Sequence, residues 1–322
     1  MKIVIPGGTG HLGTLLTRHF RSTGHQVVVL SRNVEAHAVP WDGKTLGEWA
    51  REVDGADAVI NLAGRSVHAR YNAATKAEII DSRVDSTRAI GEAIARADRP
   101  PRFWLQASTS TIYAHTYGPP NDEHTGVIGG HEADVPEAWH FSIEVAQAWE
   151  NAIDEAKTPW TRKVKMRTSV VMSTDPEGAF HALLRHLRMG LGRFGDGRQY
   201  MSWIHEHDFI RAVDWLMEKK FEGVVNLTAP NPVPNAEFME ELRQAWGGHP
   251  VIPTYRPMLE IGAWLMRVEP ELVLKSRRVV PARLLESGFR FVYERWGDAA
   301  RELVARKREG GLSCEPQPSR YW

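Results

Sequence analysis

The chain has 322 residues, in which forty lysines and arginines cancel forty aspartates and glutamates. That balance argues against a nucleic-acid-binding or membrane-surface protein, and the single cysteine, Cys314, excludes an internal disulfide framework. With no cationic start, no apolar signal core and no uninterrupted apolar run of about eighteen residues, the composition predicts a cytoplasmic chain read from Met1, large enough for one α/β domain with an appendage or for two domains.

The first element, Lys2-Ile-Val-Ile-Pro6, is a short β-branched strand that runs into Gly7-Gly-Thr9-Gly10-His11-Leu12-Gly13 and then an amphipathic stretch through Leu15, Leu16 and Phe20. Strand, glycine-spaced turn and helix in that order form a dinucleotide-binding fingerprint. Gly7 permits the sharp exit from the strand, Gly10 lets backbone N–H groups approach a pyrophosphate, and Gly13 lets the helix pack on the sheet. The helix N-terminus adds partial positive charge. Thr9, His11 and Leu12 complete the turn, with His11 read as a wall beside the cofactor. An empty structural turn is the bland alternative, and the elements on both sides favour the nucleotide.

The second strand, 26–30, ends in Ser31-Arg32, where an NAD site offers a carboxylate to the ribose 2′-hydroxyl. Ser31 has replaced the acid and Arg32 adds a cation suited to a 2′-phosphate, so NADP(H) is the expected cofactor; a solvated strand-end arginine is the alternative.

Further strands are expected at 38–41, 56–63, 102–107 and 164–171, with long helices at 75–96 and 142–157 between them. The alternation predicts an α/β fold, a doubly wound parallel Rossmann sheet. Past Ser173 glycine and proline punctuation becomes dense, although a helix at 208–219 and the strand Gly223–Leu227 are expected to return to the sheet. The predicted division is an NADP-binding Rossmann domain over 1–175, joined by 203–228, and a smaller, mostly helical C-terminal lobe of 176–202 and 229–322 for substrate. A late strand at 289–293 and an irregular tail from 310 complete it.

Gly7-Gly-Thr-Gly-His-Leu-Gly13, Asn61-Leu-Ala-Gly64, Ser108-Thr-Ser-Thr-Ile-Tyr113 and Gly195-Asp-Gly-Arg-Gln199, with Trp203-Ile-His205 and Asp208, together resemble the extended short-chain dehydrogenase/reductase superfamily. Lys76 with Ser82-Arg83-Val84, Trp149-Glu150, Ser202-Trp-Ile-His205 and Val280-Pro281 to Gly288-Phe289 narrow the resemblance. They are similar to its atypical epimerase-family branch, labelled nucleoside-diphosphate-sugar epimerases with a C-terminal domain of unknown function. The resemblance covers Met1 to about residue 300.

The superfamily implies a Tyr-x-x-x-Lys pair on the helix after the fifth strand, with the phenol as general acid/base and the lysine lowering its pKa and holding the nicotinamide ribose. This chain lacks the pair: counting onto the helix gives Phe141 with Val145, or Ser142 with Ala146. Thr109 aligns with the residue whose hydroxyl polarises the substrate carbonyl. By the same resemblance Asn61, Leu62, Ala63 and Gly64 line the cofactor and Asp42 sits at its adenine. Met201 stands where an arginine usually follows the Gly-Asp-Gly-x-Gln loop, with Arg193 or Arg198 as stand-ins.

For the missing acid/base the first candidate is Tyr113, then Glu144 and His140; their bland readings are a pocket wall, a solvated helix-start acid and a cap neighbour. Lys76 and Arg83 lie seven apart on one helix face, where Arg83 joins the cofactor-binding set and both either meet an anion or decorate a solvated side. His205-x-His207 with Asp208 lacks the convergent spacing of a metal site, so no metal is expected. Two functions stay open: an oxidoreductase or isomerase acting on a small molecule such as a sugar nucleotide, and an NADPH-binding protein without catalysis. A homodimer through the two long helices is implied by the resemblance alone.

Overall fold

The computed structural model describes residues 1–32, 38–67, 69, 71–132, 135–176, 178–255 and 271–310, apart from the side chain of Leu272. The expected irregular tail, with Cys314, lies outside the described residues from 311 onward.

The β-branched runs become β1 (Lys2–Pro6), β2 (Gln26–Ser31), β3 (Ala38–Pro40), β4 (Ala58–Asn61), β5 (Phe103–Thr109) and β6 (Arg162–Thr168). With the strand Gly223–Leu227 they form one seven-stranded sheet. Its order is Gly223–Leu227, β6, β5, β4, β1, β2, β3, and every pair is parallel. From β1 the chain winds outward to β2 and β3 on one side and to β4, β5 and β6 on the other. The switch point between β1 and β4 therefore opens a crevice at the C-terminal strand ends, where ligands of doubly wound sheets bind.

Both faces of the sheet are covered, as parallel strands require. Ile3 and Ile5 point into one core with Leu16, Phe20, Met166, Phe209 and Leu216, while Val4 points into the other with Val59, Ile90, Ile94 and Trp104. Helix α1 (His11–Ser22) and the helix Glu206–Glu218 lie over the first face. Over the second, α2 (Ala73–Arg96) packs against α3 (His140–Glu155). Asn72 caps α2, accepting the Thr75 N–H at 2.8 Å.

A third core is built mainly from the C-terminal half, where helices Asn235–Trp246 and Trp296–Arg308 meet around the stacked rings of Phe238 and Trp296, 3.9 Å between centroids. Residues 271–281 run back toward the end of β5: the Lys275 ammonium donates to the Thr111 carbonyl, and the Val280 N–H to that of Asn121. Among the described residues no helix is long and apolar enough to cross a membrane.

Two expected strands differ. The run 164–171 breaks at Ser169, and Val170–Met172 leaves the main sheet to pair in parallel with Trp203–His205. Residues 289–293 form no strand. Phe289 and Phe291 sink into the first core as alternation demands, but the N–H groups of Val292 and Tyr293 are taken by the buried Asp208 carboxylate instead of a ladder.

Candidate cofactor site

The glycine turn has the shape its spacing predicts. Gly7 adopts φ +76°, and a Cβ there would lie 2.9 Å from the backbone of Leu62 and Ala63, so the turn is pressed against the end of β4. A Cβ on Gly13 would lie 2.5 Å from the Gly7 carbonyl, which is the close packing of helix on turn. Gly10 is different: its φ is −76°, and the only neighbour of an added Cβ is the Gly7 carbonyl oxygen at 3.4 Å. Its open side faces outward at the N-terminus of α1, whose first turn has no side-chain cap. Such a terminus offers unpaired N–H groups to an anion.

Side chains of the turn and of two other segments frame it. The hydroxyls of exposed Thr9 and buried Ser31 lie 3.1 Å apart, Leu12 packs on the first core, and His11 Nε2 lies 2.6 Å from Ser173 Oγ. The last contact links the turn to a segment 162 residues away.

At the end of β2, exposed Arg32 borders a cavity of about 390 Å³ lined also by Pro40, Trp41, Asp42, Thr45 and Trp49. Trp41 and Trp49 stack at 5.0 Å with planes 20° apart, and the buried Trp41 Nε1 has no hydrogen-bond partner. Asp42 turns inward on its own loop, accepting from the N–H groups of Lys44 and Thr45. Burial pushes its pKa up, and these bonds with that from the Thr45 hydroxyl outweigh it, so the carboxyl sits below its usual range.

Asn61 is fully buried, so its amide shapes the loop from beneath: Oδ1 accepts the Ala63 N–H and Nδ2 donates to Gln106. Leu62 and Ala63 bury against the two cores, while their backbone meets Gly7. Gly64 faces Arg83, whose guanidinium carbon would be 3.2 Å from an added Cβ. The Arg83 guanidinium donates to the Ile79 carbonyl and lies 4.9 Å over the Trp149 ring. Burial drives its pKa down to about 10, against the opposing pull of the Tyr71 phenol.

Thr109 closes β5 and its hydroxyl accepts the Thr111 N–H. Tyr113 is drawn away from the crevice: it is 2% exposed, its phenol donates to Asn226 Oδ1, and the Arg167 guanidinium lies 4.9 Å over its ring. Burial raises its pKa against the influence of Arg167. The expected catalytic phenol at Tyr113 is thus a packed residue, its hydroxyl held by Asn226 and its ring covered by Arg167. Glu144 is exposed on α3, and His140 keeps a buried Nε2 without a partner. Phe141 and Val145 are both buried in a small cluster with Ile79, Val67, Tyr71 and Ile80.

Most of the other loop candidates have structural partners. Gln199 donates to the carbonyls of Phe194 and Val273, Arg198 lies over the Tyr117 ring, and Arg193 has a buried Nε without a partner. His205 is 1% exposed, contacts Glu302 through Nε2 at 2.8 Å, and accepts the His207 N–H through Nδ1. Sequence reasoning missed Trp49, Ser173 and Tyr71. Trp49 carried a faint local signal, eight residues from Trp41 across a glycine turn, whereas nothing in the chain order points from His11 to Ser173.

A profile of the NAD dependent epimerase/dehydratase family matches residues 3–228, and one for a domain of unknown function, DUF1731, matches 256–303. The chain is 32% identical over 313 residues to epimerase family protein SDR39U1 of Bos taurus, spanning 95% of this chain and 100% of that one. It is 29% identical over 317 residues to epimerase family protein YfhF of Bacillus subtilis, spanning 96% and 99%. Among solved structures it is similar to human epimerase family protein SDR39U1 crystallised with NADPH, with TM-score 0.83, 28% identity, and 95% and 99% of the two chains covered. The likeness to UDP-N-acetylglucosamine 4-epimerase from Bacillus cereus, with TM-score 0.73, 17% identity and 96% and 99% covered, is one of fold.

Proposed function

The chain belongs to the NAD dependent epimerase/dehydratase family, and from that membership we propose that it binds NADP(H) and uses it on a hydroxyl or carbonyl compound, as a reductase or sugar-nucleotide epimerase. The observation that carries the reading is the cavity in which exposed Arg32 stands beside the stacked Trp41 and Trp49. A 2′-phosphate on an adenosine suits that cation, and the indole edges of Trp41 and Trp49 that line the cavity suit its adenine. The NADPH in the human relative supports the same choice.

The residues present fit the cofactor. Backbone N–H groups at the first turn of α1, His11 to Gly13, would hold the pyrophosphate over the open side of Gly10, whose own N–H is taken by the Gly7 carbonyl. Arg32 would hold the 2′-phosphate, and Ala63, Gly64 and Arg83 would border the far end. When bound, the nicotinamide supplies a hydride to a carbonyl carbon or takes one from a carbinol carbon. Thr109 accepts the Thr111 N–H and so keeps its own proton free to polarise a substrate oxygen.

A second reading is favoured by Phe141 with Val145, 5% and 7% exposed, or Ser142 with Ala146, the two pairs that the resemblance sets where a phenol and an ammonium usually stand. It makes the protein a binder of NADPH without turnover. For the cofactor itself the test is titration of wild type and Arg32→Ala with NADPH and NADH. A charge-assisted contact contributes roughly 1.5 to 3 kcal/mol, so the variant should narrow the NADPH preference by about tenfold or more. Equal wild-type affinities for the two cofactors would sink the assignment.

A further inference from the structure

A phenol and an ammonium from another part of the chain lie against Phe141 of α3. Phe141 occupies one of the two positions at which the superfamily places its tyrosine. The Tyr71 ring meets the Phe141 ring edge-on, with centroids 5.0 Å apart and planes at 69°. The Lys76 ammonium lies 4.8 Å from the centroid of that ring. Both come from the N-terminus of α2, where the Asn72 cap and the bond from the Lys76 N–H to the Asn72 carbonyl fix the chain between them. Tyr71 is only partly buried, unlike Tyr113. We propose that Tyr71 is the proton donor of the site, replacing the phenol that α3 lacks, with Lys76 as its companion ammonium.

The charges around Tyr71 suit that task. Arg83 from α2 and Arg277 from the returning C-terminal segment both interact electrostatically with its phenol. Glu271 is the opposing carboxylate, and it is engaged by Arg277 and Lys275 at 3.9 Å and by the Ser142 hydroxyl. The groups that α3 adds to the cluster, Phe141 and Val145, are uncharged. The two guanidiniums that act on Tyr71, Arg83 and Arg277, favour its phenolate, the part the lysine plays in the usual pair. Arg83 also borders Gly64, which joins Tyr71 to the cofactor side of the crevice.

In the reducing direction a carbonyl carbon gains the hydride of the reduced nicotinamide, and the C=O π pair moves to oxygen. That oxygen takes the Tyr71 proton, giving an alcohol, and the phenolate recovers a proton from water. The inference rests on the proposed NADPH-dependent function, and one set of measurements separates the two. Wild type and Tyr71→Phe are compared for NADPH affinity, for phenolate formation by ultraviolet absorbance against pH without cofactor, and for NADPH oxidation with phenanthrenequinone as a probe carbonyl. The variant should bind NADPH as wild type does, lose one phenolate step of the titration, and slow quinone reduction by a factor on the order of 10² to 10⁴. Quinone reduction that survives in Tyr71→Phe, identical phenolate titrations, or a wild type inert toward the quinone would overturn the assignment of Tyr71. Failure of wild type to bind NADPH would overturn the cofactor reading instead.

Discussion

Gly10→Val should yield a folded protein that no longer binds NADPH. The Gly10 backbone, at φ −76° and ψ 173°, is extended and open to any residue, and the nearest atom to a new Cβ is 3.4 Å away. Folding should lose only about 1 kcal/mol from a poorer N-cap. The valine methyls, however, fill the space where a pyrophosphate must approach the backbone. With NADPH at a hundredfold excess over its Kd, the wild type should gain about 2.7 kcal/mol of stability and a higher Tm; Gly10→Val should show no shift. Gly7→Val and Gly13→Val provide the contrast, since one forces a side chain onto φ +76° and the other onto a backbone oxygen 2.5 Å away. Those two should fail in folding. A normal thermal shift in Gly10→Val would mean that the turn holds no phosphate.

Glu150→Ala should be among the most destabilising single changes in the chain. Glu150 is buried on α3 and accepts from Arg167 Nε at 2.8 Å, Arg167 Nη2 at 2.7 Å and Ser108 Oγ at 2.6 Å. Burial works against the charge on Arg167, yet the paired carboxylate holds its pKa above the ordinary guanidinium range. Removing the acid strands a buried cation, at a cost of roughly 3 to 5 kcal/mol. The urea midpoint should fall accordingly, and Glu150→Ala with Arg167→Met should recover much of the loss because no unpaired charge remains. A single-variant loss within the surface-substitution range of about 0.5 kcal/mol would show that Arg167 finds another partner.

The alternating elements, the glycine turn and the Ser31-Arg32 strand end were legible from residue order because their physics is local. A positive φ at Gly7, the β-branched run of β1 and the three-to-four spacing of α2 each act within a few residues. The late strand at 289–293 was misread for the complementary reason: its alternation is real, but Asp208 reaches its N–H groups from another helix. Tyr113 likewise stands at the end of β5 as expected, while Asn226 and Arg167, which hold its side chain, come from neighbouring strands that local residue order does not reveal.

The sequence by itself therefore determined the doubly wound sheet, the glycine turn at the end of β1, and the Phe and Val, or Ser and Ala, that stand where a Tyr-x-x-x-Lys pair is sought. Each of these follows from backbone chemistry or residue identity at known spacing. Only the tertiary structure decided what surrounds those positions. Tyr71 and Lys76 meet Phe141 across two helices, His11 meets Ser173 across 162 residues, and Glu150 meets Arg167 and Ser108 from separate elements. Such contacts depend on how buried faces pack against one another, and packing is set by the shapes of residues far apart in the chain.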